Sequence, residues 1–165
     1  NGLPDINYKN FDYILLLDVI EHLSNPEKFI SELKSKLNKC KDVKLLISTP
    51  NIGFIIIRLM LLFGFFNYGK RGILDKTHKR LFTFSTFNDL LKQYDFQIIK
   101  SNGIPAPFPL AVGENFLSKI LINANLFLIK LSKKLFSFQI FLEVKPGISL
   151  EILLERAKKN IENKQ

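Results

Sequence analysis

The stretch FDYILLLDVIEHL, residues 11–23, decides the fold of this 165-residue chain. A continuous run of strand-forming apolar residues ends abruptly in Asp18, Glu21 and His22. Such a run is typical of a strand that is buried on both faces in a parallel sheet. The polar side chains that follow it should lie at the rim of that sheet, and we expect the functional site to begin there.

The residues after this stretch predict a helix and a second strand. Asn25-Pro26 is typical of a helix start, with proline at the first helical position and with Ser24 and Glu27 spaced as a capping box. Residues 43–48 repeat the strand pattern, and the strand ends at residues 49–51 because the residue before a proline avoids helical geometry. Strand, helix and strand form a βαβ unit, whose ligands sit beyond the carboxyl ends of the strands.

The rest of the chain continues this alternation and predicts an α/β fold. We expect a helix over 86–94, strands over 96–100 and 138–144, and one or two amphipathic helices over 116–135. Three prolines within 103–113 predict that this stretch has no regular structure. Residues 52–68 are apolar but are interrupted by Arg58 and Gly64, so they fit a lid or an in-plane helix better than a membrane span. Residues 148–165 are predicted to form a helical tail.

Composition limits the classes of protein and partner. A hydrophobic content of 47% with 16 Phe excludes a disordered chain. The net charge of +9 suits nucleic acid or an anionic membrane surface, although a lysine-rich composition alone would also produce it. With only four arginines and no arginine block, nucleic acid is the disfavoured partner. The single cysteine, Cys40, has no disulfide partner and predicts a reduced thiol in a cytoplasmic protein.

Taken together, the motifs resemble those of class I S-adenosylmethionine-dependent methyltransferases, especially quinone-biosynthesis and surface-glycan O-methyltransferases. Each motif alone is weak, but their order and spacing over residues 1–146 are specific to this family. The matching pieces are FDYI (11–14), DVIEHL (18–23), NP (25–26), STPN (48–51), GILDKTH (72–78), FT (82–83), YDF (94–96) and FLEV (141–144).

This resemblance implies the C-terminal half of a Rossmann-like methyltransferase sheet. The chain would hold strands four to seven, with the last strand antiparallel between the fifth and sixth, and with helical lid insertions. Residues 1–147 would be a partial domain, a fragment without the glycine-rich cofactor loop, since no Gly-x-Gly-x-Gly occurs in the sequence. The strand at 11–19 would then be an open edge. We expect the chain alone to bind S-adenosylmethionine weakly or not at all, and tight binding by calorimetry would refute this.

The resemblance also assigns site residues. It places Leu17 and Asp18 at the cofactor and makes Glu21, His22 and His78 catalytic. Metal-dependent relatives use Glu-x-x-Glu-His with a later histidine, which here corresponds to Asp18, Glu21, His22 and His78 as ligands of a divalent ion such as Mg²⁺. Two other readings stay open: His22 acts as a general base or orients the acceptor without a metal, or these residues are structural, as a turn cap, an ion pair and a solvated imidazole.

The predicted function is methyl transfer to an oxygen of a glycan, a lipid-linked intermediate or a quinone-like small molecule. The apolar stretches 52–68 and 116–135, with lysines and arginine nearby, suit an enzyme that is peripheral on the inner face of the membrane. They could equally pack on each other as a substrate lid. The alternatives are an RNA 2′-O-methyltransferase, disfavoured by the lack of arginine clusters, and a non-catalytic fragment that acts as a membrane-surface interaction module.

Overall fold

A computed structural model of the chain describes residues 3–4, 6–38, 40 and 43–147. The predicted helical tail over 148–165 lies outside these residues. Two short 3₁₀ helices, Tyr8–Asn10 and Ile20–His22, flank the first strand. The strands are β1 (Tyr13–Leu17), β2 (Lys44–Pro50), β3 (Phe96–Ile104) and β4 (Gln139–Pro146). The helices are α1 (Pro26–Leu37), α2 (Ile55–Leu62), α3 (Phe84–Gln93), α4 (Phe108–Val112), α5 (Phe116–Leu131) and α6 (Lys133–Phe136).

The four strands form one mixed sheet in the order β1-β2-β4-β3. β1 and β2 are parallel, and β4 runs antiparallel to both of its neighbours, β2 and β3. The α/β fold and the antiparallel placement of the last strand are therefore as expected. One expectation for β1 was wrong: it is not buried on both faces, because Tyr13, Leu15 and Leu17 are about half exposed. Within the described residues β1 pairs with β2 alone, which makes it an edge strand.

Helix α1 begins where the proline predicts, but its cap differs from the expected one. The Asn25 side chain, not Ser24, accepts a hydrogen bond from the Lys28 amide at 2.8 Å. Asparagine is as good an N-cap as serine, so the neighbouring residue can take this position. Ser24 Oγ accepts a bond from Lys79 Nζ at 2.7 Å instead. The same serine thus ties the start of α1 to the loop that carries His78.

The expectation that residues 103–113 are irregular was also wrong. β3 continues to Ile104, and α4 occupies Phe108–Val112. Prolines fit there because Pro109 stands in the first turn of α4, where a missing N–H breaks no helical hydrogen bond. Position 103 of β3 requires glycine, because Ser137 lies so close to the backbone there that any side chain at this position would collide with it.

The main core lies between one face of the sheet and helices α1 and α3. Ile30 and Leu33 of α1 and Phe87 of α3 pack with inward-facing residues of β2 and β4, such as Ile47 and Leu142. Both helices therefore bury an apolar face against the sheet. A second, smaller core contains Phe54, Ile57, Ile73 and Leu74 and joins α2 to the loop over 69–83. Through this second core, α2 supports the loop that carries His78.

Candidate active site

Asp18 ends β1 and binds the neighbouring strands rather than the predicted metal group. Its backbone adopts a left-handed φ of +53°, which asparagine and aspartate tolerate best among residues with a side chain. Its carboxylate accepts hydrogen bonds from Ser48 Oγ at 3.0 Å and from Gln139 Nε2 at 2.9 Å. These bonds fasten the carboxyl end of β1 to β2 and β4. Asp18 is therefore separate from the group that the other three predicted ligands form.

Glu21 is the buried member of that group, with a relative exposure of 1%. Neither of its carboxylate oxygens has a hydrogen-bond partner in the structure. Its backbone carbonyl, in contrast, accepts bonds from the amides of Lys79 at 2.8 Å and Arg80 at 3.1 Å. The residue thus anchors the distant loop through its main chain and leaves its side chain without a partner. Such a buried, unpartnered carboxylate is costly and needs an explanation.

His22 and His78 each place Nδ1 beside a backbone carbonyl. His22 Nδ1 lies 3.2 Å from the carbonyl of Thr77, and His78 Nδ1 lies 2.9 Å from the carbonyl of Ile73. Because a carbonyl oxygen only accepts hydrogen bonds, each Nδ1 must carry the proton. Each neutral ring therefore offers the lone pair of Nε2, as metal-binding histidines do when a carbonyl holds the other nitrogen. The two rings meet edge to face, with centroids 4.8 Å apart.

The structure therefore brings together three of the four predicted ligands. One ligand atom each from Glu21, His22 and His78 lies within 4.8 Å of the others. The unpartnered carboxylate of Glu21 and the free Nε2 atoms fit a divalent cation, which would supply the missing positive charge. Without a cation, the Nε2 lone pair of either imidazole can accept a proton from a bound hydroxyl.

The electrostatics of Glu21 follow from its position. Burial raises the pKa of the Glu21 carboxyl above its ordinary value, and the negative charge of Asp18 raises it further. The backbone of Glu21 lowers the pKa by more than Asp18 raises it, and Thr49 and the imidazole of His22 lower it by less, but burial is the largest cause and the pKa stays raised. Thr49 Oγ1 itself is buried without a hydrogen bond of good geometry, so its influence is weak. A bound cation would therefore offset the energetic cost of burying the charged form of this carboxyl group.

This electrostatic arrangement predicts how stability depends on pH. The unfolded chain releases the Glu21 proton near the ordinary pKa of about 4.5, whereas the folded chain holds it to higher pH. The metal-free protein should therefore lose stability, relative to the Glu21→Gln variant, as pH rises from that value through the raised pKa. Urea unfolding between pH 4 and 8 measures the difference. Relative to a Glu114→Gln variant, in which an exposed glutamate is replaced, the unchanged chain should show no such loss of stability. An equal loss relative to both variants would contradict the assignment to Glu21.

The loop around His78 is held by several further contacts. Asp75 accepts bonds from Thr77 N at 2.8 Å and from Thr77 Oγ1 at 2.7 Å, and these bonds lower the pKa of the Asp75 carboxyl. Arg80 forms an ion pair with Glu27 of α1 at 3.0 Å. The Asp-x-Thr spacing is a turn signal that sequence reasoning could have used. The carbonyls of Ile73 and Thr77 leave no such signal, because any residue supplies a carbonyl.

The predicted cofactor residues lie beside this group. Leu17, the last residue of β1, is half exposed, and Asp18 follows it at the rim. A mostly polar cleft of about 390 Å³ opens next to His22. Lys28, Glu32 and Lys79 contribute charged side chains to its wall. The rim of β1 and this cleft thus adjoin the group of Glu21, His22 and His78.

Comparison with known proteins supplies one match that bears on identity. The family model described as "Methyltransferase domain" matches residues 4–101, which is more than half of the chain and includes all of these site residues. No curated protein sequence matches the chain.

Several solved structures are similar in fold. A SAM-dependent methyltransferase from Archaeoglobus fulgidus is 17% identical, with a TM-score of 0.49, and the match covers 84% of this chain and 60% of that one. The small RNA methyltransferase HEN1 is 19% identical over 84% of this chain and 14% of that one, with a TM-score of 0.46. The [4+2]-cyclase SpnF is 11% identical over 90% of this chain and 54% of that one, with a TM-score of 0.45. All three TM-scores lie below 0.5, so identity depends on the family match.

Proposed function

This chain belongs to the methyltransferase domain family, and we propose that it supplies the acceptor side of a site that transfers a methyl group from S-adenosylmethionine to an oxygen. The family match supports methyl transfer. The group of Glu21, His22 and His78 supports an oxygen acceptor, since it combines a proton acceptor with a possible cation site.

An oxygen acceptor explains why such a group is useful. When bound, S-adenosylmethionine supplies a methyl group on a positively charged sulfur, which is open to in-line displacement. A neutral hydroxyl is a poor nucleophile, so the protein must orient it and remove its proton. In the proposed site, Nε2 of His22 or His78 takes that proton, while the carbonyls of Thr77 and Ile73 keep the two rings in place.

A divalent cation is the second part of the proposal. Glu21, His22 and His78 would hold it, and its charge would favour the ionised form of a nearby hydroxyl. Two imidazoles and one carboxylate suit Mn²⁺, Fe²⁺ or Zn²⁺ better than Mg²⁺, which prefers oxygen ligands. Asp18 is not part of this proposed set because Ser48 and Gln139 already occupy its carboxylate.

The acceptor and the cofactor would occupy different parts of the site. We propose a glycan, lipid-linked or quinone-like acceptor whose polar part enters the cleft beside His22, where Lys28 and Lys79 would face it. Leu17 and Asp18 would form one wall of the cofactor site. The sequence contains no Gly-x-Gly-x-Gly cofactor loop, so we predict that this chain alone binds S-adenosylmethionine weakly.

Product analysis tests the proposed function. S-adenosylmethionine, in large excess because weak binding is expected, is incubated with the protein and with hydroxylated acceptors, namely catechols, saccharides, polyprenyl-linked sugars and RNA oligonucleotides. Mass spectrometry should then show S-adenosylhomocysteine together with a methyl ether, and Mn²⁺ should raise the yield over that with a chelator. A methyl group found on nitrogen or carbon would refute the oxygen acceptor. Transfer to RNA alone would select the 2′-hydroxyl instead of a small molecule or lipid.

A further inference from the structure

Helix α5 leaves much of its apolar surface exposed. The only buried residues of this 16-residue helix are Ser118 and Asn125. Its outer side carries large apolar side chains, with Phe116 exposed by 79% and Leu131 by 67%, and with Phe127 between them. Helices on a protein in water normally bury their apolar side. The outer side of α5 is therefore built for a surrounding other than water.

Specific hydrogen bonds fix α5 in this orientation. Asn125 Oδ1 accepts a bond from the amide of Ala106 at 2.9 Å, and Asn125 Nδ2 donates to the carbonyl of Phe136 at 2.9 Å. Ser118 forms a reciprocal capping box with Asn115 at the start of the helix. Rotating α5 to bury its apolar side would break the two Asn125 bonds. The exposed apolar side is thus a defined feature of the fold.

Helix α2 and the residues after it expose further apolar side chains. Ile57 is the only buried residue of α2, whereas Leu62 is exposed by 76% and Phe63 by 72%. Further exposed side chains follow in the next turn and on α4, namely Phe65, Phe66, Tyr68 and Leu110. An apolar groove lined by Phe54 and Pro107 joins the start of α2 to α4, and α4 packs on α5. We call α2, residues 63–68, α4 and α5 the apolar rim.

The charges around the apolar rim are almost all positive. Residues 52–72 and 103–137 contain seven lysines and arginines and one acidic residue, Glu114, whereas the rest of the chain contains 17 basic and 14 acidic residues. So many exposed large apolar side chains on neighbouring elements are unusual on a free surface. A second copy of the chain would bring the same positive charge against it, so self-association is disfavoured. An anionic lipid surface offers both an apolar layer and the complementary charge.

We therefore propose that the apolar rim lies in the headgroup region of an anionic bilayer, with the long axis of α5 parallel to the membrane. Among the described residues, no helix combines the length and apolar character that crossing a bilayer requires. The inserted side chains would be those of α2, 63–68, α4 and α5, while Lys119 and Lys130 on α5 would meet lipid phosphates.

This position would also define the class of acceptor. Ile57 of α2 packs in the same small core as Ile73, and the carbonyl of Ile73 holds His78 Nδ1 at 2.9 Å. The proposed membrane-facing helix is therefore one contact away from the residue that orients His78. If the proposed methyl transfer holds, the acceptor is an amphiphile that stays in the bilayer and presents a hydroxyl at its surface.

Vesicle flotation tests the membrane part without any activity measurement. The full chain is mixed with vesicles of phosphatidylglycerol and phosphatidylcholine, or of phosphatidylcholine alone, and is separated on a density gradient. We expect flotation with the anionic vesicles only, reduced by 0.5 M salt because salt screens the lipid charge. The Leu62→Glu/Phe63→Glu variant should bind the anionic vesicles at least about tenfold more weakly than the unchanged chain, because two apolar side chains no longer enter the lipid.

The Leu15→Glu variant is the matched control, because Leu15 is also an exposed apolar residue but lies on the edge strand β1. It should float like the unchanged chain, and circular dichroism should show all three proteins folded. Absence of flotation with anionic vesicles, or an equal loss in the control, would overturn the proposal. A dimer in light scattering that Leu62→Glu/Phe63→Glu dissociates, without flotation, would assign the rim to a second copy. Methyl transfer to a soluble acceptor together with flotation would retain the membrane surface but refute the amphiphilic acceptor.

Discussion

The His78→Asn variant should bind Mn²⁺ at least about 100-fold more weakly than the unchanged chain and should lower methyl transfer by about 10²- to 10⁴-fold. Asparagine can still donate a hydrogen bond to the carbonyl of Ile73, as Nδ1 of His78 does at 2.9 Å. It has no counterpart of Nε2, so it removes the ligand or base while keeping the contact that holds the loop. Calorimetric titration with Mn²⁺ measures the first effect and release of S-adenosylhomocysteine the second.

Lys76→Ala is the control for this variant. Lys76 is exposed in the same loop, and its described hydrogen bond to Gly69 uses the backbone amide, which alanine retains. This variant should match the unchanged chain in both measurements. If His78→Asn binds Mn²⁺ normally but loses activity, His78 acts as a base without a metal. If neither measurement changes, the site assignment is wrong.

The Asn51→Ala variant should lower the free energy of unfolding by about 3 kcal/mol or more. Asn51 is fully buried at the end of β2. Its Nδ2 donates to the carbonyls of Lys134 at 3.1 Å and Ser137 at 2.9 Å, and its Oδ1 accepts from the amide of Gly53 at 3.0 Å. Removing the side chain leaves three polar backbone groups without their partner. Chemical denaturation followed by circular dichroism measures the change.

Two further variants show whether these hydrogen bonds cause the loss. Asn51→Asp keeps the shape of the side chain and the acceptor for Gly53, but a carboxylate cannot donate to the two carbonyls, so it should destabilise at least as much as alanine. Asn123→Ala removes an exposed asparagine of α5 and should change stability by less than about 0.5 kcal/mol. Equal stability of Asn51→Asp and the unchanged chain would show that the bonds to Lys134 and Ser137 contribute little.

The sequence determined most of the elements and the approximate place of the candidate site. A run of apolar residues that ends in polar ones predicts a strand and its rim, and this placed Glu21 and His22 at the carboxyl end of β1. Proline at position 26 marked the start of α1, because its effect on the backbone is local. The family resemblance added His78 to the same site, and the structure brings its ring to His22.

Tertiary structure decided which side chains meet. Asp18 and Glu21 have the same type of charged group and lie close together in sequence, but Ser48 and Gln139 bind Asp18, whereas Glu21 turns toward the two histidines. Those partners come from distant strands, and local patterns contain no information about them.

The same limit applies to the apolar rim. Periodicity predicted amphipathic helices over 116–135, but it cannot show which side of a helix the protein covers. In α5 the contacts of Asn125 with Ala106 and Phe136 hold this polar residue against the protein, and large apolar side chains such as Phe127 stay exposed. A hydrophobic pattern shows that a helix has an apolar face. Whether that face is buried inside the protein depends on contacts with elements distant in the sequence.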